Sequence, residues 1–179
     1  PQGVATPYAY QWLRNDTPIV DATSTSYTLG DADAGQSIKV RVSYTDGASN
    51  PEVFTSVGTP PIANVNDLPT ATLALSSLTP AANTSLTANL NSLLDPDGLP
   101  ASSNYQWQWQ YALWATHTTA PVWSDIAAAT STGQSPAALN VTPSLAGRML
   151  RVVLSYTDLQ GTIEVVPSAW TSPVANGAG

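Results

Sequence analysis

Apolar and polar residues alternate with a period of two along much of the chain. Ile38, Val40, Val42 and Tyr44 alternate with Lys39, Arg41 and Ser43, and Tyr105, Trp107, Trp109 and Tyr111 alternate with Gln106, Gln108 and Gln110. A strand turns successive side chains to opposite faces, so each run reads as a β-strand with one face buried. Thr and Val enrichment, with 15 prolines and 11 glycines as punctuation, leaves no stretch that reads as a helix of three turns. The pattern predicts an all-β chain with strands at 7-13, 18-21, 26-29, 36-45 and 52-58, then at 70-75, 85-93, 104-111, 120-126, 135-141, 148-157 and 162-169. The second group is seven short strands at the spacing of a sandwich domain.

The two groups are copies of one unit. Ala34-Gly35-Gln36-Ser37-Ile38-Lys39-Val40-Arg41-Val42-Ser43-Tyr44-Thr45-Asp46 matches Ala146-Gly147-Arg148-Met149-Leu150-Arg151-Val152-Val153-Leu154-Ser155-Tyr156-Thr157-Asp158 at a constant offset of 112 (147 minus 35). The offset continues without a gap through Glu52/Glu164, Ser56/Ser168, Thr59/Thr171 and Asn64/Asn176. Upstream, Tyr10-Gln11-Trp12 answers Tyr105-Gln106-Trp107, and Asp21-Ala22-Thr23-Ser24-Thr25 answers Ala128-Ala129-Thr130-Ser131-Thr132. The changed offset implies an insertion of roughly 15 residues in the second copy, around 112-124, a length within the range of grafted loops. The first copy, 1-66, lacks counterparts of the two opening strands of the second, 67-179. Asn64-Val65-Asn66-Asp67-Leu68-Pro69 reads as the linker.

The chain's 179 residues suit two modules of roughly 80 to 110 residues. Charged residues make up only 9%, with Lys+Arg 5 against Asp+Glu 12 and a net charge of -7. Phosphate-neutralising cations are too few for nucleic acid or an anionic membrane surface. Zero cysteines exclude disulfides, thiolate metal sites and cysteine nucleophiles. No apolar run reaches the length of a membrane span, and no signal peptide is visible. The chain opens at Pro1, and we expect it to be a piece of a longer protein.

The Tyr-Gln-Trp strand, the Ala-Asp-Ala-Gly turn at 32-35, the Val-Ser-Tyr-Thr-Asp strand end and the Val-Asn-Asp-Leu-Pro linker together resemble the Ig-like and cadherin-like repeats of large bacterial secreted, RTX-type surface adhesins. The resemblance implies tandem immunoglobulin-like β-sandwich modules, the first lacking its opening strands. It also implies a secreted or cell-surface location, neighbouring repeats as the main partners, and a non-enzymatic role as spacer or adhesive stalk. The second copy replaces the Asp-x-Gly turn with Ser144-Leu145-Ala146-Gly147, which leaves Asp33 no expected role beyond the turn. Trp12 and Trp107, on the third strand of such a sandwich, are expected to be core.

In an Ig-like sandwich the start of the first strand, the loop between strands two and three and the loop between the last two strands lie at one end. In the second copy those places hold Asn66-Asp67, Asp95-Pro96-Asp97-Gly98 and Asp158. Asp67, Asp95, Asp97 and Asp158 would then converge as ligands for Ca2+, whose six to eight oxygen ligands suit such a cluster. Asp-Pro-Asp-Gly is also an ordinary turn, so convergence decides between the readings. Calcium at this place would stabilise the module junction. The first copy retains Asp46 and Asn64, at most a broken site.

Other chemistry is poorly served. His117, the only histidine, has no Ser motif or carboxylate arranged around it, and the acids lie on turns and strand ends with no sign of a glycosidase cleft. Lys39, the only lysine, is on the polar side of its strand and is Arg151 in the second copy, which argues against a Lys–Asn isopeptide. The alternative to a plain spacer is carbohydrate binding by Trp114, Trp123 and Trp170, in or near the insertion, because exposed tryptophans stack on sugar rings. Against it stands the reading that they fill the core or cover the inserted hairpin. The possible external partner is thus a cell-surface glycan or a protein.

Overall fold

The computed structural model describes residues 7–113 and 120–177. The chain divides into two compact units, Pro1–Val65 and Asn66–Gly179. The described residues contain no α-helix; three single 3-10 turns accompany the strands. In the first unit β1 (Ala9–Arg14), β2 (Thr17–Pro18), β3 (Ile38–Thr45) and β4 (Pro51–Thr55) form one antiparallel sheet in the order β2-β1-β3-β4. The second unit holds β5 (Thr70–Leu75), β6 (Thr84–Leu86), β7 (Ala88–Leu94), β8 (Gln106–Leu113), β9 (Ser124–Thr132), β10 (Leu139–Val141), β11 (Arg148–Thr157) and β12 (Ile163–Pro167). These pair as β12-β11-β8-β9, β5-β7 and β10-β6.

The alternation along β8 and β11 builds the core of the second unit. Trp107, Trp109, Leu150, Val152, Leu154 and Tyr156 point one way and join Leu86, Ala88, Leu139 and Val141 from the short sheets in a single buried cluster. Several antiparallel sheets around one core are compatible with a β-sandwich. The indole N–H groups are satisfied inside it: Trp107 Nε1 donates to the Gly133 carbonyl at 2.7 Å and Trp109 Nε1 to that of Ala137 at 2.8 Å.

The repeat is legible bond for bond. Ser56 and Ser168 each donate their amide to the strand they follow, at the carbonyls of Val40 and Val152, and each accepts the amide of that same residue on the hydroxyl. Thr59 and Thr171 do likewise with Ile38 and Leu150. The register of the upstream match, however, shifts by two. Trp12 lies opposite Val40 and Trp109 opposite Val152, so Trp12 occupies the place of Trp109 and Tyr10 that of Trp107. The glutamines agree: Gln11 Nε2 donates to the carbonyls of Trp12 and Ile19, and Gln108 Nε2 to those of Trp109 and Ile126. A period-two run such as Tyr105-Gln106-Trp107-Gln108-Trp109 matches a short motif equally well at two offsets, and only strand pairing chooses. The offset is 97 at Gln11/Gln108 and 107 at Ile19/Ile126, so the insertion is ten residues (107 minus 97), not fifteen.

Several expected strands also differ: 18-21 shrinks to Thr17–Pro18, 135-141 shrinks to Leu139–Val141, and 85-93 divides into Thr84–Leu86 and Ala88–Leu94. The strand placed at 120-126 forms at Ser124–Thr132, with a break in its pairing to β8 between Gln108 and Gln110; Ala127-Ala128-Ala129 has no alternation to place it, and Ala128 takes φ 58°. Residues 26-29 form no strand. Instead they lead into the 3-10 turn Asp31–Asp33, where Asp33 does more than shape a turn. Its carboxylate, fully buried, accepts from Arg14 Nε at 2.8 Å, Tyr27 Oη at 2.9 Å and the Gly30 amide at 2.9 Å.

Candidate metal centre

Three segments meet at one end of the Asn66–Gly179 unit. Asp95 Oδ1 accepts the Asp97 amide at 2.9 Å and the Asp95 carbonyl accepts the Gly98 amide at 3.1 Å, closing a compact turn. Gly98 has φ +93°, a conformation L side chains rarely adopt, so the turn needs glycine, and the Leu159 side chain packs against its Cα. The Gly98 carbonyl accepts the Leu159 amide at 3.3 Å, tying this turn to the β11–β12 loop. There Asp158 Oδ1 accepts the amides of Gln160 and Thr162, each at 2.8 Å. The third segment docks through Asp67, whose amide donates to Asp97 Oδ2 at 2.7 Å, and Asn66, whose Nδ2 donates to Glu164 Oε1 at 2.8 Å.

The four expected ligands therefore play unequal parts. Asp97 and Asp158 are 4% and 5% exposed, and Asp97 Oδ1 and Asp158 Oδ2 are buried with no hydrogen-bond partner. Asp95 does not point alongside Asp97: its second oxygen takes the Tyr156 hydroxyl at 2.6 Å. Asp67 contributes its backbone amide. Glu164, 4% exposed, joins the group although it was not foreseen. The signal was present, because Glu164 repeats Glu52 and shares the inward parity of Val166 in an otherwise apolar strand. Burial pushes the Tyr156 hydroxyl far above its ordinary pKa, and the hydrogen bond to Asp95 and the negative charges of Asp95 and Glu164 raise it further.

No cation neutralises these acids among the described residues, whose two ion pairs are Arg14–Asp33 and Lys39–Asp16. Buried carboxylates without counter-charge or full hydrogen bonding are costly. At the same time, no three His, Cys, Asp or Glu side chains of the described residues stand gathered as a ready ligand set. The structure thus brings two free carboxylate oxygens and a third buried acid to one loop cluster, a narrower convergence than four carboxylates.

The aromatic candidates lie elsewhere. Trp114 and His117 fall outside the described residues. Trp123 and Trp170 meet with ring centroids 6.2 Å apart and planes at 48°. The Arg151 guanidinium sits 4.2 Å over the Trp123 ring and donates to Gln110 Oε1 at 2.8 Å, and Gln110 donates onward to Asp125 Oδ1 at 2.8 Å. Met149 and Ala112, on the sheet face that carries Arg151 and Gln110, are buried yet outside the main core. The first copy has Ser37 and Gly58 where the second has Met149 and Trp170. The tilt and the guanidinium cap deny a sugar a flat paired platform, leaving Trp170, 52% exposed, as the open ring. No protein-family model matches the chain, and no curated protein matches it either.

Proposed function

We propose that the chain is a pair of tandem immunoglobulin-like modules serving as a non-enzymatic spacer or adhesive stalk of a secreted or surface-displayed protein, with calcium stabilising the second module. Support for the immunoglobulin-like reading comes from the order of pairing in the second unit, where β5-β7 and β10-β6 feed the same core as β12-β11-β8-β9. The single observation that carries calcium is the pair of buried, unpartnered oxygens, Asp97 Oδ1 and Asp158 Oδ2. The local donors are all oxygen, which suits a hard cation; backbone carbonyls and water would complete the six to eight ligands calcium takes. Because the Asp67 amide is already bound to Asp97, such an ion would also fasten the first residues of the unit.

Thermal melts in millimolar calcium and in EDTA test this reading. An ion that binds only the folded state adds about 2.7 kcal/mol at a hundredfold excess over Kd, a rise of about 10 °C in Tm for a module of this size. Asp97→Asn should abolish the rise, and in EDTA it should melt higher than wild type because it removes one uncompensated charge. Superimposable curves in calcium and EDTA would leave an ion-independent spacer.

The exposure of Trp170 keeps carbohydrate binding as a second reading. Glycan-array binding that is lost in Trp170→Ala but retained in Asp97→Asn would support it, and an array without hits would remove it.

A further inference from the structure

The two units present the same sheet face in different states of cover. In the second unit Trp107, Trp109, Val152, Leu154 and Tyr156 are between 0% and 3% exposed. Their cover includes Leu86 and Ala88, with Leu73, Leu75 and Leu90 packed against the same cluster. All five come from the unit's first two strands in order of sequence, β5 and the interrupted β6–β7. The positions that correspond by pairing in the first unit are Tyr10, Trp12, Val40, Val42 and Tyr44, and each is partly exposed. Phe54, opposite Val42 on β4, is 75% exposed, whereas its counterpart Val166 packs against the core of the second unit. On this face Ile38 is well buried, at the end of the sheet beside the Asp33 turn; Leu13, also buried, pairs opposite Lys39 and belongs to the other face.

We infer that this face of the β2-β1-β3-β4 sheet is a docking surface for a two-stranded β-hairpin of alternating aliphatic and polar residues, of the Thr70–Leu94 type. The inference goes beyond the calcium reading and does not depend on it. The occupant is identified by what covers the corresponding face in the same chain. Tyr27 against Trp12 and Tyr8 against Tyr44 cover this face only in part, Phe54 stays exposed beside it, and face-to-face packing of a second layer is the ordinary way such a sheet face is covered.

The test is a chain in which a second copy of residues 66-104 replaces residues 1-7, so that it runs into Tyr8 as the original runs into Tyr105. Amide hydrogen exchange at Trp12, Val40 and Val42 should slow at least a hundredfold, and the first unit should melt at a markedly higher temperature. Val42→Asp should cancel both gains in the extended chain yet alter the melting of the unextended chain little, whereas Ser43→Asp, on the opposite face, should spare them. Unchanged exchange and melting in the extended chain would overturn the inference. So would sedimentation showing that the unextended chain already dimerises with Trp12 and Val42 protected, which would make the face a contact between copies.

Discussion

Trp109→Ala should unfold the second unit at moderate urea concentration, with a loss of about 4 to 5 kcal/mol. Trp109 is 2% exposed in a core fed from both sides, so truncation leaves a cavity that the rigid sheet β12-β11-β8-β9 closes poorly, and it strands the Ala137 carbonyl that its indole satisfies. Trp12→Ala, at the corresponding place in the first unit, should cost only about 2 kcal/mol, because a partly exposed side chain has less transfer energy to lose and leaves no closed cavity. Its losses are the indole bond to the Ser24 carbonyl at 3.0 Å and the contact with Tyr27 at 5.8 Å between rings. Urea titrations followed separately for the two units check the pair. Equal losses would mean that Trp12 is as well covered as Trp109, and would remove the basis for an open face.

The strands and the repeat were readable because both depend on period-two patterning and on turn residues, which act locally. Arg148–Thr157 and Thr70–Leu75 form at the predicted positions. What could not be read was register within that pattern: Trp107 and Trp109 are interchangeable by period, and the choice is made by partners more than forty residues away. The candidate site was half legible. Turn chemistry and topology brought Asp97 and Asp158 to one end of the unit, but which oxygen of each acid is consumed by a local amide depends on side-chain rotation, and so Asp95 turns out to be spent on the Asp97 amide and the Tyr156 hydroxyl, while Asp67 gives Asp97 its backbone amide. Asp33 was misjudged for a similar reason. A turn aspartate in one copy and Leu145 in the other looked like drift, yet both are buried, so the position is a core position filled by two different chemistries.

That substitution of chemistries leads to the second large effect. Asp33→Ala should destabilise the first unit by about 3 kcal/mol, since it removes a fully buried carboxylate and leaves the Gly30 amide and Tyr27 hydroxyl short of a partner; Arg14, partly exposed, recovers some hydration and keeps the loss from being larger. Arg14 takes the place of Tyr111 by its pairing opposite Ile38, as Tyr111 pairs opposite Leu150. The double variant Arg14→Tyr with Asp33→Leu should therefore return to within about 1 kcal/mol of wild type, because well-packed apolar groups replace buried ion pairs at little net cost. Acid separates the two designs. Burial opposes ionisation of Asp33, but the Gly30 amide, the Arg14 guanidinium and the Tyr27 hydroxyl together hold its carboxyl below the usual range. A lowered folded-state pKa contributes stability that is fully present above the unfolded value of about 3.9 and is lost as pH falls through the folded value. The wild-type first unit should thus lose urea resistance between pH 5 and pH 2 more steeply than the double variant, whose apolar pair does not titrate. Parallel acid profiles for the two proteins would show that Asp33 is not held ionised, and a double variant as weak as Asp33→Ala would show that the second unit's solution does not transfer to the first.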